Sequence, residues 1–199
     1  MQSPLIKKLI DAFCCLPGVG PKSAQRMTYH LLERHKDAAS HLSESLAQAV
    51  KGIKHCQRCR DFTENDVCTI CDSTARDTTL LCIVESPADV YAIEATAGYK
   101  GKYFVLMGHL SPLDGVGPDD IGLDVLKELV IKEAPAEIIL ATNSTVEGEA
   151  TAHFISEMFN KSEVTISRLA SGVPIGGELE YLDGGTLMQS LSDRRIYQS

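Results

Sequence analysis

The sequence predicts an α/β protein with a helical N-terminal third, a small metal-binding segment and a parallel sheet covered by helices. Three patterns indicate this fold. Apolar residues recur at helical spacing to about residue 53, two Cys-x2-Cys pairs follow, and short apolar strands then alternate with helical segments. With 199 residues, of which 44% are hydrophobic, the chain can bury a substantial core. We place the regions at residues 1–54, 55–76, 77–171 and 172–199.

Three helices are predicted in the first region. The segment Leu5–Cys15 has apolar residues at the i, i+3, i+4 spacing of an amphipathic helix, and it stops at Leu16-Pro17-Gly18. A second helix begins near Pro21, because proline suits a first helical position where an N–H would have no partner. That helix continues to about Arg34, and the third runs from Leu42 to Ile53 with the same periodicity.

The turn between the first two helices is a candidate phosphate-binding site. Gly18 and Gly20 lack side chains, so the turn can expose backbone N–H groups beside a helix N-terminus, where an anion is favoured. Lys22 and Arg26 are four residues apart and rise from one helical face. The pattern resembles the helix-hairpin-helix motif of non-sequence-specific DNA-binding proteins, and it predicts that these four residues bind DNA phosphates. The alternative is a plain helix connection stabilised by glycines.

Cys56, Cys59, Cys68 and Cys71 form two Cys-x2-Cys pairs separated by eight residues. Four thiolates complete the tetrahedral shell of zinc and leave no open position for chemistry. We therefore predict one structural Zn²⁺ per chain. The alternatives are two disulfides or four unrelated thiols.

Cysteine use also indicates a reducing compartment. Residues 1–12 lack the long hydrophobic segment of a signal peptide, so we expect a cytoplasmic protein. In that compartment, thiols bind metal ions more often than they form disulfides with each other. The remaining cysteines have apolar neighbours and no partner at ligand spacing. We predict that all three are buried packing residues: Cys14, Cys15 and Cys82.

Charge is divided unevenly along the chain. The formal net charge is −8, yet residues 1–54 carry eight Lys or Arg against four acidic residues, a net charge of +4. Residues 81–199 carry a net charge of −10. Only the N-terminal region would therefore attract a phosphate backbone. No stretch approaches the roughly 20 apolar residues of a membrane span, so we expect no membrane segment.

The region after the cysteines alternates strands with helices, which implies a parallel sheet covered by helices. Ser86 is expected to cap one helix, with Pro87 at its first position. The long loops Gly108–Asp119 and Ser171–Gly185 are candidates for function. The predicted strands are Leu80–Glu85, Tyr103–Met107, Glu137–Ala141 and Val164–Leu169, and the later helices are Gly122–Ala134 and Gly148–Asn160.

Acidic residues follow the predicted strands, at the sheet edge where open α/β proteins bind ligands. They are Glu85, Asp89, Glu147 and Glu149. This arrangement resembles a Toprim domain, a Rossmannoid fold, but a Glu-x-Glu pair at a shifted position replaces the usual Asp-x-Asp. Three interpretations remain open: helix capping by Asp89 and Glu149, docking of a partner protein, and a Mg²⁺ site for phosphoryl transfer.

The C-terminal segment, residues 172–199, is rich in glycine. Its run Leu179–Leu182 ends in an acid, Asp183, and resembles a Walker-B-like strand. Without a phosphate-binding loop, this run is weak support for nucleotide hydrolysis. We expect the segment to pack on a neighbouring subunit.

The order of hairpin, four-cysteine site, Toprim-like domain and glycine-rich C-terminus resembles the RecR family of bacterial recombination mediators. The similarity covers essentially the whole chain. Its further matching segments are Val84–Asp89, His109–Gly115, Ala141–Asn143, Thr145–Ala152, Gly172–Pro174 and Gly176–Glu180.

This resemblance implies a ring-shaped homotetramer, built from two dimers, that encircles single- or double-stranded DNA without sequence specificity. It further implies a non-enzymatic, nucleoid-associated protein that acts with RecO and RecF. Together they would load recombinase onto single-stranded or gapped DNA coated by single-strand-binding protein. In the family pattern, Lys22 and Arg26 contact DNA, and the acids, Glu85 first, recognise partners. The alternative function is a metal-dependent nuclease or topoisomerase-like enzyme that uses Glu85, Glu147 and Glu149.

Overall fold

The computed structural model describes residues 3–170, 172–174, 176–192 and 194. They divide into two compact units, with the boundary after Ile53. Helices make up the first unit. The second unit combines the cysteine segment with a parallel sheet and its helices, so the predicted α/β class is confirmed.

Three helices form the first unit, as predicted: α1 (Pro4–Phe13), α2 (Pro21–Arg34) and α3 (Lys36–Gly52). Ala24 and Thr28 lie one turn apart on α2 and are completely buried. The third helix begins six residues before the predicted Leu42 and buries none of its side chains. This unit therefore leaves much apolar surface exposed.

The predicted burial of the three other cysteines is correct for one of them. Cys82 is buried in the sheet, and this burial raises the pKa of its thiol to about 12. Cys14 and Cys15 are exposed, so the prediction is wrong for both. Helix α1 ends at Phe13, and the two residues lie in the turn beyond its amphipathic face.

The second unit contains a small antiparallel hairpin and a four-stranded parallel sheet. The parallel strands are ordered β4-β3-β5-β6. Alternate residues of the central strand β3 point to opposite faces: Ile83 packs with Phe104 on one side, and Val84 packs with Val105 on the other. The elements are β1 (Lys54–His55), β2 (Phe62–Thr63), α4 (Thr69–Asp72), β3 (Asp77–Val84), α5 (Pro87–Ala95), β4 (Gly101–Val105), α6 (Leu123–Glu133), β5 (Glu137–Ala141), α7 (Val146–Met158), β6 (Thr165–Arg168) and α8 (Gly184–Ser192).

Helix α5 begins as the sequence predicts. Ser86 is the N-cap residue, Pro87 is the first helical residue, and the Ser86 backbone N–H donates to the Asp89 carboxylate at 2.8 Å. Asp89 therefore caps this helix, one of the three roles that the sequence left open for it.

The C-terminal segment departs from the predicted Walker-B-like strand. Residues Leu179–Tyr181 form a 3₁₀ turn in which the Tyr181 N–H donates to the Glu178 carbonyl. A strand needs a neighbour to satisfy its backbone groups, whereas this turn satisfies them locally. Asp183 accepts hydrogen bonds from the N–H and hydroxyl of Thr186, which lower the pKa of its carboxyl group. Within the predicted oligomerisation segment 172–199, Ile175, Asp193 and residues 195–199 lie outside the described residues.

Candidate metal centre, carboxylate cluster and hairpin turn

The four predicted zinc ligands come together in the second unit. Their sulfur atoms all lie within 4.8 Å of one another, and the four residues are buried. The Sγ atoms of Cys59 and Cys68 are 3.6 Å apart. Ligands at the usual 2.3 Å from a tetrahedral zinc are separated by about 3.8 Å, so the sulfur positions fit this ion.

Backbone hydrogen bonds prepare the cysteines for metal. The Arg60 N–H donates to the Cys56 carbonyl at 2.9 Å and closes the first turn, which we call the first knuckle (Cys56–Arg60). The Cys68 N–H points at the Cys56 sulfur at 3.3 Å. The Cys71 N–H likewise points at the Cys68 sulfur at 3.5 Å. Hydrogen bonds of this kind favour the thiolate, the form that binds zinc.

Two arginines attach the first knuckle to the parallel sheet and its helices, and neither role was predicted from the sequence. Arg58 donates to both carboxylate oxygens of Glu133, at 2.8 and 2.5 Å, to the Tyr103 carbonyl and to the Cys71 sulfur. Burial would lower the pKa of Arg58, but the hydrogen bonds to Glu133 and Cys71 raise it above its ordinary value. Arg60 reaches the Ile121 carbonyl. The only signal in the sequence was the placement of these cations beside zinc ligands.

Glu85 is fixed inside the protein. Its side chain is 7% exposed, and it accepts hydrogen bonds from the Asn143 backbone N–H at 2.8 Å and the Asn143 side-chain amide at 2.7 Å. The Nδ1 atom of His109 lies 3.4 Å from the same carboxylate. Gly148 is required beside it, because a Cβ there would overlap the Asn143 carbonyl and lie 2.9 Å from Glu85 Oε1.

The structure does not bring Glu85, Glu147 and Glu149 together as metal ligands. Among the described residues, the four cysteines are the one group of three or more such side chains within reach of a single ion. Glu149 forms an ion pair with Arg168 at 2.5 Å. It does not cap α7, because Thr145 does so by accepting a hydrogen bond from the Gly148 N–H.

The hairpin turn joins α1 to α2. Gly18 has a φ of +76°, a conformation that favours glycine, and Gly20 is the N-cap residue of α2. The Val19 N–H donates to the Leu16 carbonyl at 3.1 Å. Lys22 and Arg26 are exposed on α2, and neither forms an ion pair with a residue that the structure describes.

Comparison with known protein families covers nearly the whole chain. The model of the RecR helix-hairpin-helix matches residues 6–50, and that of the RecR four-cysteine zinc finger domain matches residues 53–73. The model of the Toprim domain matches residues 79–170, and that of the RecR C-terminal region matches residues 172–195. Recombination protein RecR of Legionella pneumophila (strain Corby) is 54% identical over 191 residues, which are 96% of this chain and 97% of the relative. The chain belongs to the RecR family. Recombination protein RecR of Methylococcus capsulatus is 56% identical over 98% of this chain and 99% of its own length.

The RecR family is a family of recombination proteins, and its domains account for the cysteine site, the parallel sheet and the hairpin turn. The four cysteines form the zinc finger, and the parallel sheet is the Toprim domain. The hairpin turn lies within the helix-hairpin-helix match. No helix in the described part of the chain is long and apolar enough to cross a membrane.

Proposed function

We propose that this RecR-family chain is a cytoplasmic, nucleoid-associated recombination mediator that binds single- and double-stranded DNA without sequence specificity. The hairpin turn is the observation that carries this proposal. It places two exposed cations, Lys22 and Arg26, beside Gly18 and Gly20 at a helix N-terminus. These groups contact phosphates and not base edges, so binding is independent of sequence.

The acidic residues of the Toprim domain serve partner recognition in this proposal. Residues 81–199 carry a net charge of −10, which disfavours DNA and favours a basic protein surface. Glu149 is exposed at the C-terminal edge of the sheet and Glu147 is partly exposed there, while Glu85 and Asp89 are held by hydrogen bonds. The partners would be RecO and RecF. Together with this chain, they would load recombinase onto gapped or single-stranded DNA that is coated by single-strand-binding protein.

We also propose that the protein has no catalytic activity, and incubation with supercoiled plasmid tests this proposal. Incubated with Mg²⁺ or Mn²⁺, the protein should retard the plasmid on a gel and leave it supercoiled. The physical reason is that the carboxylates of Glu85 and Glu149 already bind Asn143 and Arg168. With Glu147 they form no group within reach of one ion among the described residues. Nicking that disappears in Glu85→Gln would show a metal-dependent enzyme instead.

We propose that the chain assembles into a homotetramer of two dimers that forms a ring around DNA. One hairpin contacts few phosphates, so several copies are needed for useful affinity. Helix α3 offers a surface for assembly, because Leu42, Leu46 and Val50 form an apolar stripe that is 49%, 63% and 76% exposed. Sedimentation under DNA-binding conditions should show a species larger than a dimer. A monomer that still binds DNA tightly contradicts the ring.

A further inference from the structure

The first knuckle is bound to the Toprim domain through Arg60, the residue after a zinc ligand. Arg60 has a φ of +67°, which is uncommon for a residue with a side chain. Its guanidinium donates to the Ile121 carbonyl and lies 5.7 Å from the centre of the Phe104 ring. The neighbouring Cys59 carbonyl accepts a hydrogen bond from the Val105 N–H at 2.8 Å. The knuckle therefore covers the free edge of strand β4.

Gly122 accommodates the Arg60 side chain. It precedes α6 with a φ of +72°, and a methyl group there would overlap the Arg60 guanidinium. Gly115 lies in the same loop with a φ of +73°, but a methyl group there would meet no atom of the described residues within 4 Å. The two glycines thus have nearly the same positive φ, and only Gly122 lies against the knuckle.

The loop that Arg60 contacts also carries His109; we call residues 106–122 the His109 loop. Ile121 is 1% exposed and packs in the same buried core cluster as Leu106, which lies two residues before Gly108. The Gly108 N–H donates to the Glu85 carbonyl at 2.9 Å. The next residue, His109, faces the Glu85 carboxylate. One continuous set of contacts therefore joins the first knuckle to Glu85.

We propose that Arg60 is a positioning residue through which the zinc-bound knuckle holds the His109 loop, and with it His109, against Glu85. Zinc fixes Cys56 and Cys59, which fixes the turn that presents Arg60. Coupling between two sites is reciprocal. A change at Gly122, which lies in the Toprim domain and touches no zinc ligand, must therefore weaken zinc binding.

Competition for zinc with the chromogenic chelator 4-(2-pyridylazo)resorcinol measures this coupling. Gly122→Ala should lower zinc affinity at least about fivefold, the lower end of typical coupling between sites. Gly115→Ala is the matched control, since it places a side chain at nearly the same positive φ without the overlap, and the zinc affinity of this variant should stay within about twofold of that of the parent protein. Equal losses in the two glycine variants would overturn the proposal.

Arg60→Gln removes the same contact by changing the arginine instead of the glycine. This variant tests the proposal if Gly122→Ala fails to fold. It should lower zinc affinity to the same extent, and adding Gly122→Ala should lower it no further, because both changes remove one contact. Additive losses would mean that Arg60 and Gly122 act separately, which contradicts the proposal.

The ring signals of His109 in a carbon-edited NMR spectrum supply a readout that a local role in zinc binding would not move. They should shift on removal of zinc by the chelator, in Arg60→Gln and in Gly122→Ala. Unchanged His109 signals in these samples would overturn the link to Glu85. The inference rests on the proposed partner-binding role of the acidic residues around Glu85. Its failure would leave plasmid retardation unaffected, so failure of the inference and failure of the proposed function give different results.

Discussion

Replacement of Cys59 by serine should abolish stoichiometric zinc binding and lower the melting temperature. The hydroxyl is a poor zinc ligand, and structural zinc contributes about 10–16 kcal/mol in zinc-finger peptides. This contribution is comparable to the whole stability of a typical domain, about 5–15 kcal/mol. The sheet has a core of its own, centred on Phe104 and Leu126, so we expect a folded but destabilised Toprim domain. Metal analysis and thermal unfolding followed by circular dichroism measure both effects.

Cys15→Ser is the control for this experiment. Cys15 is exposed and belongs to the helical unit, so its replacement should leave zinc content and melting temperature unchanged. Retention of one zinc per chain by Cys59→Ser would contradict the four-sulfur site. So would a melting temperature that is insensitive to removal of the metal.

Local patterns in the sequence were sufficient for several features. The spacing of the four cysteines predicted the complete metal centre, because both pairs are short turns whose geometry depends on near neighbours. Helix α2 and strand β5 have the predicted bounds, Pro21–Arg34 and Glu137–Ala141. Proline at a first helical position and a continuous run of apolar residues are strong local signals.

Contacts between distant residues could not be predicted in this way. Arg58 binds Glu133, which lies 75 residues away, and Arg168 binds Glu149 across the edge of the sheet. The sequence therefore left the role of Glu149 open between capping, docking and metal binding. Its ion pair is determined by Arg168, which lies 19 residues further along the chain at the end of β6. The exposed positions of Cys14 and Cys15 likewise depend on where α1 ends in three dimensions.

Combined replacement of Lys22 and Arg26 by alanine should weaken binding to every DNA sequence alike. Each cation that contacts a phosphate releases a counterion from DNA on binding. The slope of log affinity against log salt should therefore become shallower by about 2 for each hairpin that contacts DNA. Both side chains are exposed on α2, so the variant should keep its fold and its zinc.

The control variant is Lys36→Ala with Lys51→Ala. It removes the same charge from the same helical unit, but from α3 and not from the face beside the hairpin turn. A general electrostatic effect would weaken DNA binding equally in the two double variants. A specific hairpin interface would weaken it much more in the Lys22 and Arg26 variant.

The central claim is tested most directly by the salt dependence of binding to two DNA duplexes of unrelated sequence. This dependence is measured for the parent protein and for both double variants. We expect the hairpin variant alone to show a shallower slope, with the same change on both duplexes. An unchanged slope in that variant, or an equal change in the control, would contradict DNA binding through the hairpin.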